Sequence, residues 1–112
     1  MQPDEIRVRH IIDAARKALE FSLGRTRKDL DADEMLSLAL VRLLEVVGEA
    51  AAGISADYQE EHGRVPWKKM TGLRNRLIHG YYDVNMDIVW DTIIEDLPPL
   101  VEALEELLPP KP

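Results

Sequence analysis

Between Met35 and Ala51 the chain places apolar residues on nearly every side of a helix: Met35, Leu36, Leu38, Ala39, Leu40, Leu43, Leu44, Val46, Val47, Ala50 and Ala51. A helix that is apolar most of the way round lies at the centre of a bundle, or is shared between a core and a partner. It is not a membrane span, because Arg42, Glu45 and Glu49 interrupt it and no run approaches the roughly 18 apolar residues a span requires. Glu45 and Glu49 are four apart and share one face. The 112 residues bound the chain to one helical domain, residues 1–112. Cysteine is absent, which excludes a disulfide scaffold, a thiolate metal site and a cysteine nucleophile. The first ten residues, MQPDEIRVRH, lack the apolar stretch of a signal peptide. The cytoplasm is therefore the expected compartment, and no membrane partner is expected.

The remaining periodicity surrounds this central helix with others. Val8, Ile11, Ile12, Ala15, Leu19 and Leu23 recur at three- and four-residue steps, which predicts a first helix from about Asp4 to Leu23, closed by Gly24. A polar loop, Arg25 to Leu30, is expected next. The central helix is expected from Ala32 to Ile54, with Asp31 and Glu34 at capping-box spacing. A short helix, Ala56 to His62, would be capped by Ser55. Pro66 suits the first turn of a fourth helix running to His79, with Gly80 at its end. Asn85 can cap a last helix, which Pro98 and Pro99 should kink. The architecture expected is all-α: an antiparallel up-and-down four-helix bundle with one additional short helix.

Charge is segregated along the chain. Of 14 basic and 21 acidic residues, the stretch from His62 to Tyr82 holds Arg64, Lys68, Lys69, Arg74 and Arg76 and no carboxylate. The rest carries nine basic residues against 21 acidic ones. Two readings are open: chance clustering, or an anion-facing strip in which Lys68, Lys69 and Arg76 contact phosphate. On a helical wheel of the fourth helix, Trp67, Met70, Leu73, Leu77 and Ile78 share one arc, and Arg74 projects into it. A buried guanidinium is costly unless paired. Either Glu45 and Glu49 pair with Arg74 as a structural network, or Arg74 opens onto a cleft shared with a second subunit. His79 falls at the helix C-terminus, where the dipole favours imidazolium.

The segment Arg74-Asn75-Arg76-Leu77-Ile78-His79-Gly80-Tyr81 resembles the RX4HXY motif of the HepT-like toxins, a branch of the HEPN superfamily. Arg42-Leu43-Leu44-Glu45-Val46-Val47-Gly48-Glu49-Ala50 is similar to the family's second-helix signature. Val65-Pro66-Trp67 followed by Gly72-Leu73-Arg74-Asn75 is similar to the approach to its catalytic helix. Asp87-Ile88-Val89-Trp90 and Leu97-Pro98-Pro99 also have counterparts there, so the resemblance covers nearly the whole chain.

The resemblance implies an HEPN-like helical fold that works as a homodimer, with two motifs facing each other across an interface cleft. It implies a metal-independent endoribonuclease without cofactor, the toxin of a type VII toxin–antitoxin system. Arg74 would hold the scissile phosphate of the RNA, and His79 would act as general base or acid. Asn75 occupies the polar position that follows the motif arginine. The implied partner is an MntA-like nucleotidyltransferase antitoxin that silences the toxin by attaching AMP to the motif tyrosine, here Tyr81. An alternative is a non-catalytic, nucleotide-binding partner subunit of a minimal nucleotidyltransferase.

Overall fold

The computed structural model describes residues 3–79 and 83–109, with His79 described by its backbone. The fold is all-α. Helix α1 (Pro3–Ser22) and helix α3 (Glu34–Ala52) are the longest elements. Between them lies a short α2 (Arg27–Ala32), and after them a short α4 (Ala56–Glu61). Helices α5 (Trp67–Thr71) and α6 (Leu73–Leu77) form a third rod. Two-residue strands β1 (Ile78–His79) and β2 (Asp83–Val84) pair antiparallel after it. Helix α7 (Met86–Asp91), a π turn (Thr92–Asp96) and α8 (Leu97–Glu105) make the fourth rod.

The bundle is antiparallel, as amphipathic helices joined by short connections predict. The Asp4 carboxylate at the start of α1 accepts hydrogen bonds from the Ser55 backbone N–H and hydroxyl, each at 2.8 Å, just beyond the end of α3. These two bonds hold the Asp4 carboxyl below its ordinary value. Arg27 of α2 meets Asp87 of α7 at 2.8 Å, so the fourth rod begins beside the end of α1. It returns along α1, where Arg16 meets Glu105 of α8 at 2.6 Å. Both pairs lie at the solvent-exposed surface and add little to stability. The core carries the stability: Val8, Ile11 and Ala15 of α1, Leu40, Leu44 and Val47 of α3, and Leu77, Ile93 and Leu104 are fully buried in one cluster. Each large aliphatic side chain among them is worth about 1.5–3 kcal/mol.

Several elements differ from the expected ones, for local reasons. The predicted loop from Arg25 to Leu30 contains α2, because the Asp29 carboxylate returns to the Thr26 backbone N–H at 2.7 Å and Leu30 is buried. The cap of α3 is Asp33, which accepts from Leu36 N–H at 3.1 Å, not Asp31. Asp31 pairs with Arg27 instead, at 3.1 Å. Ser55 and Asn85 cap α4 and α7 as expected. At Pro98 and Pro99 the last rod is not broken. The two missing N–H groups are accommodated by widening the preceding turn, where Leu97 N–H reaches Thr92 carbonyl, five residues back.

Helix α3 resolves the question its composition raises. Leu36, Leu40, Val41, Leu44, Val47 and Ala51 face the core, while Met35 and Leu38 are 83% and 62% exposed. Gly48 is buried where α3 crosses α5: a Cβ there would lie 3.1 Å from the Met70 carbonyl oxygen and 3.7 Å from Leu73 Cβ. A larger residue must push α5 outward. Gly48→Val is expected to lower the stability read by urea unfolding by about 1–3 kcal/mol, with Gly48→Ala intermediate.

Candidate active site

The basic stretch forms the outer surface of the third rod. Trp67, Met70, Leu73 and Leu77 are buried, and Lys68, Lys69, Arg74, Asn75 and Arg76 are exposed. Trp67 is fixed by donating Nε1–H to the His62 carbonyl at 3.0 Å and by an edge-on contact with the Tyr58 ring, 6.2 Å between centroids. The inward apolar residues thus set which way the cations point.

The rod is not one continuous helix. At Gly72 the backbone relaxes to φ −85° and ψ −3°, which separates α5 from α6. After this slack turn Leu73 and Leu77, four apart, take the inward positions. Arg74 is left on the surface rather than in the apolar arc. The pairing of Arg74 with Glu45 and Glu49 that a continuous helix suggests is not what the structure shows. The two glutamates lie 3.9 and 3.7 Å from Arg42, on the same stripe of α3. Among the described residues Arg74 has no ion-pair partner.

The expected helix to His79 ends at Leu77. Ile78 has extended geometry (φ −109°, ψ 118°), and Ile78 and His79 pair with Val84 and Asp83. His79 is therefore a strand residue, two positions beyond the end of α6, rather than the last residue of a helix. The stop is built by Asn85, whose backbone N–H bonds the Leu77 carbonyl at 2.7 Å. The Asn85 side chain accepts from Asp87 and Ile88 N–H, each at 3.1 Å. One residue thereby ends α6 and starts α7. Gly80, expected as a helix cap, and Tyr81, the implied modification site, lie outside the described residues.

The remaining cations divide into two sides. Arg76 donates from Nη2 to the Lys69 carbonyl at 3.0 Å, and Lys69 Nζ lies 3.8 Å from Asp96 of the π turn. This places Lys69 and Arg76 toward the last rod, with Arg64, which the motif does not include. Arg74 is two residues before Arg76, about 200° away around the axis. Among the described residues no group of three or more His, Cys, Asp or Glu side chains is placed to hold a metal ion. No helix among them is long and apolar enough to cross a membrane.

A family model described as "Ribonuclease HepT-like" matches residues 11–107. The chain is 37% identical over 99 residues to a "Putative RNase" of Caldanaerobacter subterraneus subsp. tengcongensis, covering 88% of each chain. It is 37% identical over 100 residues to a "Putative RNase" of Methanocaldococcus jannaschii, covering 85% of this chain and 87% of that one. It is 34% identical over 97 residues to the "Probable ribonuclease HepT" of Thermococcus cleftensis, covering 87% and 88%. No solved structure matches the chain.

Because Asn85 caps α7 and anchors the end of α6 together, Asn85→Ala is expected to cost about 1 kcal/mol in chemical denaturation. Asn85→Ser or Asn85→Asp, which keep a capping oxygen, should recover most of that loss.

Proposed function

The chain belongs to the HepT-like ribonuclease family, and from that premise we propose that it is a metal-independent endoribonuclease in which Arg74 and His79 act on one scissile phosphate. The observation that carries this reading is the exposure of Arg74 without a carboxylate partner, on a rod whose backbone turns out of the helix just before His79. An unpaired guanidinium can donate two parallel hydrogen bonds to phosphate oxygens and neutralise the charge that builds on them. A histidine accepts the proton of the ribose 2′-hydroxyl as that oxygen attacks phosphorus. The P–O5′ bond breaks as the new P–O2′ bond forms, and the departing O5′ takes a proton from a second imidazole. One chain supplies one such histidine in the motif, so both proton transfers are met when two copies face each other.

A homodimer is accordingly part of the proposal. The apolar side chains left open on α3, Met35 and Leu38, support a shared surface, and two-fold symmetry would bring two basic segments to one groove. The doubled positive charge would draw RNA to a protein whose formal net charge is −7. Asn75, exposed beside Arg74, has a side-chain amide suited to a polar contact with the same substrate. Lys68, Lys69 and Arg76 would contact flanking phosphates.

The proposal extends to regulation: the chain is the toxin of a type VII pair, silenced when an MntA-like nucleotidyltransferase antitoxin transfers AMP to Tyr81. In sequence Tyr81 is two residues from His79, so AMP there adds bulk and negative charge close to the motif and repels substrate phosphate.

Purified wild-type protein is expected to cleave single-stranded RNA in EDTA, with His79→Ala and Arg74→Ala each slower by about 100-fold or more. Cleavage unchanged in His79→Ala, or abolished by EDTA, would overturn the reading. Absence of cleavage by folded wild type would favour the partner-subunit alternative. Separately, co-expression with the cognate nucleotidyltransferase should give an AMP adduct that maps to Tyr81 by fragment mass and is lost in Tyr81→Phe. An adduct on Tyr82 alone would exclude Tyr81 as the site.

A further inference from the structure

A cleft of about 200 Å³ runs between α5–α6 and the last rod, on the side of the motif helix away from Arg74. Its floor is aliphatic: Met70 and Leu73 from one wall, Leu97 and Leu100 from the other. Its mouth carries Arg64, Lys69 and Arg76, against one carboxylate, Asp96. Asp96 is already engaged by Lys69 at 3.8 Å, so the lining keeps a net positive charge from Arg64 and Arg76. Nothing in the proposed cleavage step uses this cleft.

We propose that it is a subsite for one unpaired nucleotide of the RNA, with the base on the aliphatic floor and the neighbouring phosphates against Arg64, Lys69 and Arg76. The inference rests on the ribonuclease reading and adds to it a second place where substrate is held. Size favours a single base. The cleft is smaller than the roughly 300–1,000 Å³ typical of drug-sized ligand sites, which suits one planar ring system. Charge favours a phosphodiester, since these cations border an apolar slot on a protein that is acidic elsewhere. Geometry favours a held base as well. The Arg76 guanidinium is already fixed by its bond to the Lys69 carbonyl, so its plane is available for stacking without further loss of freedom. A base at this site would favour single-stranded RNA, because a paired base must first be unpaired and unstacked to enter the slot.

The test uses the full-length His79→Ala protein, which on the reading above binds without cutting, and a fluorescein-labelled single-stranded RNA hexamer. Ala103, half-buried in the cleft wall, is replaced by Phe to fill the slot while leaving every charge in place. Arg64→Glu is the second variant. Arg64 is exposed and has no ion pair among the described residues, so the core is untouched if the filled variant fails to fold. Each variant is expected to raise the hexamer Kd about tenfold. An abasic hexamer is expected to bind about tenfold more weakly than RNA and to be indifferent to Ala103→Phe. Unchanged hexamer affinity in the folded variants, equal binding of the abasic strand, or absence of RNA binding overturns the subsite. Displacement of RNA by a glutamate-rich peptide at equal potency also overturns it, and assigns the cleft to an acidic protein partner. Failure of the ribonuclease reading has a different signature: wild type and His79→Ala cleave alike, whatever the state of the cleft.

Discussion

The basic side of this molecule depends on how closely α3 and α5 approach at Gly48. With no side chain there, the Met70 carbonyl comes within 3.1 Å of where a Cβ would sit. Met70 and Leu73 pack into the core beside that contact, and Lys68 and Lys69 lie on the opposite, exposed surface of α5. The slack turn at Gly72 then resets the phase of the rod so that Leu77 is buried four residues after Leu73. Aliphatic packing therefore aims the charged groups. This order follows from magnitude: each buried aliphatic side chain is worth about 1.5–3 kcal/mol, more than an exposed ion pair returns.

Charge segregation follows from the same arrangement. Some acidic residues of the other rods find partners across the surface, as Asp87 does with Arg27 and Glu105 with Arg16. Glu45 and Glu49 lie against Arg42 on their own helix. Residues 62–82 hold no carboxylate of their own, and Asp96 of the π turn reaches in to meet Lys69. Among the described residues Arg74 is left without an ion-pair partner. The rod presents Arg74 on one side and Arg64, Lys69 and Arg76 on another.

The third and fourth rods are joined by a very short structural link. Asn85 bonds backward to Leu77 and forward to the first turn of α7, and the β1–β2 pair brings Ile78 and His79 beside Val84 and Asp83. Motif residues placed between two helices in this way inherit their position from both. In the last rod, the π turn accommodates Pro98 and Pro99 without a break, so α8 continues far enough for Leu97 and Leu100 to form one wall of the basic cleft.

The long elements were legible in the chain because apolar periodicity reports burial directly: α1, α3 and the inward face of Trp67, Met70, Leu73 and Leu77 all follow from it. The caps at Ser55 and Asn85 were legible too, since a capping oxygen acts on N–H groups two or three residues away. The motif itself, Arg74 through Tyr81, is a linear pattern and is readable without coordinates. Helix α2 left a trace in the Thr26–Asp29 spacing, but its burial through Leu30 depends on distant neighbours. What the tertiary structure alone decided was phase and partnership. A relaxation at Gly72 and the bond from Asn85 to Leu77 turned Arg74 to the surface and placed His79 in a strand, and Arg42 rather than Arg74 became the neighbour of Glu45 and Glu49. A wheel drawn from sequence assumes an unbroken helix, whereas these outcomes depend on contacts between segments that periodicity does not encode.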